Sequence, residues 1–190
     1  MFIRQTHSPV SHLRLSERDL AVLAARLPSC ILSFRDEYPD LVPAHLLDAV
    51  EALAKKALLI DEFIARDADA GRITKTAFKA ERRSIKLNDY CRQKALLSLT
   101  PTVKMLELPA GHKVQVIPSG CCDMAGYFGY EEEHFQVSLQ IGELVLFPAV
   151  RNAPEDTLIA APGTSCRHQV KDATGRSALH PVEILRPALL

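Results

Sequence analysis

No stretch of this 190-residue sequence approaches the roughly 18 consecutive apolar residues that a membrane-spanning helix needs. That excludes a helical span and leaves only peripheral membrane association open. Met1 to Leu15 contains no apolar core of a signal peptide, so the expected compartment is the cytoplasm. Neither sign of charge is in excess, since 23 Lys and Arg stand against 23 Asp and Glu. A balanced chain lacks the basic footprint that phosphate backbones attract, which argues against nucleic acid as a partner. No glycine fingerprint for a dinucleotide, no internal repeat and no low-complexity segment occurs. Cys-x-x-Cys spacing is missing too, which weighs against a structural zinc site.

What is present is an ordinary globular composition, 47% hydrophobic and 24% charged. The length suffices for one domain with a good core, and is too short for a flavin domain joined to a substrate domain. Residues 1–15 form a lead-in without period. Ser16 then caps a helix carrying the stripe Leu20, Leu23, Ala24 and Leu27, which Pro28 ends, so Pro28-Ser29-Cys30 reads as a turn. Pro43 opens a helix through Leu46, Leu47, Val50, Leu53 and Ala54, and a second runs from Leu58 to Ala68. Residues 16–83 thus form a helical arm, whose last part, Lys79 to Arg83, is solvated.

From residue 84 the pattern changes. Strands are expected at 85–90, 114–117 and 157–161, with helices at 93–106 and 131–150 between them. A short helix interrupted by Pro181 and Pro187 closes the chain. Parallel neighbours need crossovers and helices are the usual ones, so the alternation predicts an α/β domain: a small parallel sheet with flanking helices, preceded by the helical arm.

Five cysteines, an odd number without export signals, point to thiols or metal ligands rather than structural disulfides. Cys91 follows the first strand, Cys121-Cys122 the second and Cys166 the third. A parallel sheet brings its strand C-termini to one edge, so the four sulfurs are predicted to meet there, and Cys30 can join from the side. Gathered thiolates repel unless a cation or cluster neutralises them, and soft sulfur ligands select zinc, Cu(I) or iron–sulfur. Gly120, Gly126 and Gly129 let backbone amides approach the pair. Gly163-Thr164-Ser165 opens a helix whose free N–H groups favour thiolate at Cys166. His168 is a candidate to hydrogen-bond a sulfur. Blander readings stand beside these. Any single cysteine serves equally as a small buried hydrophobe, the adjacent pair can be a vicinal disulfide or redox couple, and His112 and His134 read as surface residues. Glu131 to Glu133 reads as the acidic first turn of a helix.

The segment Gly120-Cys121-Cys122-Asp123-Met124-Ala125-Gly126-Tyr127-Phe128-Gly129-Tyr130-Glu131 resembles the Cys-Cys-Gly cysteine-rich domain. That domain occurs in the B subunit of heterodisulfide reductase, in the C subunit of anaerobic glycerol-3-phosphate dehydrogenase, and at the C-terminus of fused FAD-linked D-lactate or D-2-hydroxyglutarate dehydrogenases. The fused branch is the more similar, with ordered counterparts at Pro28-Ser29-Cys30, Phe34-Arg35-Asp36-Glu37, Asp61-Glu62-Phe63, Cys91-Arg92-Gln93-Lys94-Ala95-Leu96, Gly163 to Gln169 and Gly175 to His180. The resemblance implies that the chain carries the end of a first cysteine-rich repeat and, over 84–190, a whole second one. It also implies a role in electron transfer, with a [4Fe-4S]-type cluster on Cys91, Cys121, Cys122 and Cys166, and Cys30 as a possible extra ligand. FAD would then sit on a missing domain or on a flavin-bearing oxidase partner, and no substrate is turned over by this chain alone. Departures from the pattern are Asp123 for glycine, Tyr90-Cys91-Arg92 for His-Cys-His, Gly163 for a cysteine, and Leu27 for an acidic residue. Arg92 is then a candidate donor to sulfide. The rival expectation is a truncated, cluster-free remnant acting at most as an interaction module.

Overall fold

The structure, a computed structural model, describes residues 28–122, 124 and 128–190. The helix expected from Ser16, together with Asp123 and Gly126 of the Cys-Cys segment, lies outside the described residues. The arm consists of α1 (Pro28–Asp36), α2 (Tyr38–Leu41), α3 (Leu47–Lys56) and α4 (Ile60–Asp69). There follow β1 (Arg83–Leu87), α5 (Cys91–Leu96), α6 (Thr100–Leu106), β2 (His112–Val116), α7 (Glu132–Leu144), α8 (Leu146–Arg151), β3 (Leu158–Ala160), α9 (Thr164–Thr174), β4 (Ala178–Leu179) and α10 (Pro181–Leu185).

The four strands are parallel in the order β2-β1-β3-β4. Ile85 lies opposite Val114 on one side and Leu158 on the other, and Leu87 opposite Val116 and Ala160. The chain steps outward from β1 to β2 through α5 and α6. It then returns through α7 and α8 to β3 on the far side of β1, so the winding reverses between β1 and β3. Side chains alternate across the sheet. Ile85, Leu87 and Ala160 enter a core with Met105, Leu106, Ile184 and Leu185, against which Ile64 and Ala68 of α4 also pack. Ile159 enters the opposite core with Phe147, Val150, Cys166 and Val170. Helices therefore cover both faces, as expected for an α/β domain. A third cluster, Ile31, Leu32, Ala57 and Leu59, holds α1 against the body through Tyr90 and Leu97.

Prolines account for the breaks in two expected helices. The single helix expected over 131–150 breaks at Val145, because Pro148 has no N–H for the Leu144 carbonyl and its ring crowds that carbonyl. Pro101 divides the helix expected over 93–106 in the same way and sits in the first turn of α6. Cys30 lies within α1 and not in the turn expected at Pro28-Ser29-Cys30, while the helix expected to end at Pro28 lies outside the described residues. His112, expected at the surface, is buried, with Nδ1 on the Leu106 carbonyl at 3.0 Å. The two-residue β4 is too short to leave a periodic signal.

The packing of α7 on α8 requires one particular glycine. A Cβ at Gly142 would lie 2.2 Å from the Phe147 ring, which is itself fully buried and cannot swing aside. Gly142→Ala should destabilise the chain by about 1–3 kcal/mol, as overpacking does, measured as a lowered urea midpoint against an exposed control such as Glu133→Ala.

Candidate functional site

The parallel arrangement delivers the C-terminal ends of β1, β2 and β3 to one edge, and the winding reverses there between β1 and β3. In open α/β sheets this is where ligands bind. Shortly beyond β1, Cys91 starts α5; beyond β2 the chain reaches Cys121 and Cys122; beyond β3, Cys166 occupies the first turn of α9. Cys122 and Cys166 are buried, Cys91 and Cys121 half-buried, and no disulfide joins any of the five cysteines.

Cys122 and Cys166 are in direct contact, with their sulfurs 3.2 Å apart. The Cys166 thiol donates to Cys122 and stabilises a thiolate there, which brings the Cys122 pKa from the ordinary 9.0 down to about 7. Burial opposes that shift, while the Met124 and Cys122 backbone amides and the Cys121 side chain assist it. Cys166 moves well above its ordinary value, because it gives its proton to that hydrogen bond, is buried, and faces the charges of Cys122, Cys91 and Cys121. All four strand-end sulfurs thus lie within electrostatic reach of one point. Cys30, exposed on α1, takes no part in these shifts.

The surroundings explain how the thiols are held. Gly163 permits a close approach: a Cβ there would fall 2.9 Å from the Tyr90 ring and 3.0 Å from the Cys166 sulfur. At Gly120 a Cβ would meet nothing within 4 Å apart from its chain neighbours. His168 lies on the exposed side of α9, and its Nδ1 pairs with the Tyr130 hydroxyl at 3.2 Å rather than with a sulfur. Arg92, a candidate donor to the site, instead pairs with Glu37 at 2.5 Å and Asp36 at 3.5 Å, tying α5 to α1.

Two residues to which the sequence pattern assigned no role prove central. Lys94 bridges the buried Asp89 carboxylate and the Ser119 carbonyl, at 2.8 and 2.9 Å, so one ammonium joins the segment leading to Cys91 with the segment leading to Cys121. Gln169 donates to the Cys122 carbonyl at 2.5 Å and to Ser138 Oγ on α7 at 2.8 Å, which fixes the Cys-Cys segment between α7 and α9. The spacing of Gln169 from Cys166, i to i+3 along one helix, placed it on the same face and was the available signal. Beneath α5, Gln93 donates to Asp61 at 3.0 Å and to Thr102 at 3.1 Å, all three buried, which anchors the Cys91 helix to the arm. Among the described residues, no group of three or more His, Cys, Asp or Glu closes on a point that would hold one metal ion. None of the helices described is long and apolar enough to cross a membrane.

The thiol pair sets a pH dependence. Between about pH 7 and 9 the folded chain has released the Cys122 proton that an unfolded thiol still keeps, so stability contributed by the pair rises with pH across that window. Above 9.0 the unfolded chain releases a Cys166 proton that the folded chain retains, and the contribution falls. In the metal-free chain, thiolate absorbance should show one group titrating near 7, and Cys166→Ala should move that midpoint toward 9.0. A wild-type titration without any step near 7 would mean that the Cys122–Cys166 hydrogen bond is not formed.

No protein-family model matches the chain, and no solved structure matches it. Curated relatives do. The D-2-hydroxyglutarate dehydrogenase of Pantoea ananatis is 29% identical over 159 residues, covering 83% of this chain and 14% of that protein. Its Escherichia coli counterpart is 40% identical over 75 residues, 40% of this chain and 7% of that one. The C subunit of the anaerobic glycerol-3-phosphate dehydrogenase of Escherichia coli is 25% identical over 164 residues, 85% of this chain and 39% of that protein. The chain therefore spans well under half the length of each of these relatives. Each of these relatives is, by name, a dehydrogenase or a component of one. By homology, then, the chain is related to D-2-hydroxyglutarate dehydrogenase and to the C subunit of anaerobic glycerol-3-phosphate dehydrogenase, in keeping with the domain that its cysteine motifs resemble.

Proposed function

We propose that this chain is the iron–sulfur electron-transfer portion of an FAD-linked D-2-hydroxy-acid dehydrogenase, of the D-lactate or D-2-hydroxyglutarate type. Cys91, Cys121, Cys122 and Cys166 would hold a [4Fe-4S]-type centre, and a flavin-bearing domain or partner would supply its electrons. The observation that carries the reading is the convergence of these four sulfurs at the reversal between β1 and β3, with Cys122 held toward thiolate.

The donor set consists of thiols alone, which suits soft iron–sulfur chemistry. A polynuclear centre spreads its ligands over several irons, in keeping with sulfurs that share an edge without closing on a point for one ion. Such a centre, when bound, takes up and releases single electrons between the flavin and the next acceptor. The protein's part is to fix the ligands. Lys94 and Gln169 hold the Cys91 and Cys121-Cys122 segments, Gly163 leaves room beside Cys166, and Cys166 sits at the N-terminal end of α9, where the helix dipole favours negative charge. Cys30 is not assigned to the centre.

Anaerobic reconstitution with iron and sulfide tests the reading. Wild type should take up iron and sulfide in equal amounts with a broad visible charge-transfer band. Cys91→Ser and Cys121→Ser should lose most of it, and Cys30→Ser should keep it. The alternative is a cluster-free interaction module. A folded, colourless wild-type protein after reconstitution would decide for that one.

A further inference from the structure

The proposed centre uses Cys122 and Cys166 as separate ligands, yet their mutual contact has a consequence of its own. Their sulfurs stand 3.2 Å apart across 44 residues of chain, and a disulfide needs a separation of about 2.05 Å. The residual movement is about an ångström, and both cysteines lie outside the strands of the sheet. Cys121 is the competing partner for Cys122. Adjacent residues, however, have Cα atoms only about 3.8 Å apart, below the roughly 4.4–6.8 Å range in which disulfides form without strain. Cys91 and Cys30 offer no comparable contact to either sulfur among the described hydrogen bonds.

From this geometry we infer that Cys122 and Cys166 form a reversible disulfide when the chain is free of metal and meets a peroxide, so that the candidate site closes under oxidation. The steps balance. A thiolate sulfur of the pair attacks hydrogen peroxide, cleaving its O–O bond to give a sulfenic acid and hydroxide, which takes up the proton that the thiol released. The second thiol then displaces the sulfenic oxygen as water, forming the S–S bond. Two electrons pass from the two sulfurs to one peroxide, which leaves as two waters. The bond would tie the Cys-Cys segment to the first turn of α9 and withdraw two of the four thiols from the strand edge. Its effect on iron loading rests on the function proposed above, whereas the bond itself does not.

The test uses the full chain, purified under chelator and reductant, freed of both and exposed to equimolar hydrogen peroxide. After the remaining thiols are alkylated, tryptic digestion without reduction places Cys121 and Cys122 in the peptide 114–151, Cys166 in 152–167 and Cys91 in 87–92. The expected product is 114–151 joined to 152–167, formed equally in Cys121→Ser, absent in Cys122→Ser and abolished by dithiothreitol. Four results overturn the inference: five alkylated cysteines after oxidation, a link within 114–151, a link to 87–92, or a cross-link that survives in Cys122→Ser and disappears in Cys121→Ser. Iron uptake is then measured before and after dithiothreitol. Uptake restored on reduction supports closure of the site. A mapped disulfide in a chain that takes up no iron in either state sinks the cluster reading and leaves the disulfide standing. Iron uptake by a chain in which no disulfide can be mapped does the reverse.

Discussion

Thiols that sit alone in an apolar interior have no reason to ionise, whereas thiols brought together compete for one proton. The Cys122–Cys166 contact is the place where this competition is resolved, with Cys166 donating and Cys122 carrying the charge. Everything around the strand edge can be understood as support for that arrangement. Tyr90 and Gly163 shape the space beside Cys166, Gln169 pins the Cys122 carbonyl, and Lys94 spans the two segments that lead to the remaining sulfurs. A buried thiolate is costly unless donors surround it, and the donors here come from two separate segments of chain, the stretch after β2 and the first turn of α9.

The sheet makes this assembly possible. Parallel strands place all their C-terminal ends together, and the reversal of winding between β1 and β3 separates the connections that leave them. Cys91 and Cys166 come from the two strands flanking that reversal, and Cys121 and Cys122 from the neighbouring strand. Residues far apart in sequence therefore share one edge without any long loop reaching across the fold. The arm contributes by a different route. The buried set Asp61, Gln93 and Thr102 couples α4 to α5 and α6, so the helix that begins at Cys91 is seated on the arm as well as on the sheet.

Much of this was legible in the sequence because it depends on period and punctuation. Strand, helix and strand alternate from residue 84 onward, and the placement of Cys91, Cys121-Cys122 and Cys166 after successive strands needed only that alternation and the rule for parallel sheets. Less legible were features set by a single residue in three dimensions. Pro148 and Pro101 each divide a helix whose apolar spacing runs on through the break. Pro28 was ambiguous by nature, because the same ring that ends one helix is well suited to begin the next. The roles of Lys94 and Gln169 depend on which carbonyl lies within reach, and no one-dimensional pattern encodes that. The close approach of Gly163 to the Cys166 sulfur was likewise not encoded in the pattern, which read Gly163 only as the opening of a helix.

The same contact that supports a metal centre bears on how such a centre would be assembled. Two sulfurs that hold a shared proton at 3.2 Å are prepared for ligation, because part of the cost of making a thiolate has already been met by a neighbour. They are prepared for oxidation to the same degree, because a thiol and a thiolate in contact are the reactants of disulfide formation. A chain that gathers thiols before it meets iron therefore cannot separate readiness for metal from vulnerability to oxidant. The spread of ligands over three strand ends limits that exposure to one pair, since among the described residues only Cys122 and Cys166 are both buried and in contact, while Cys91 and Cys121 stand half-buried.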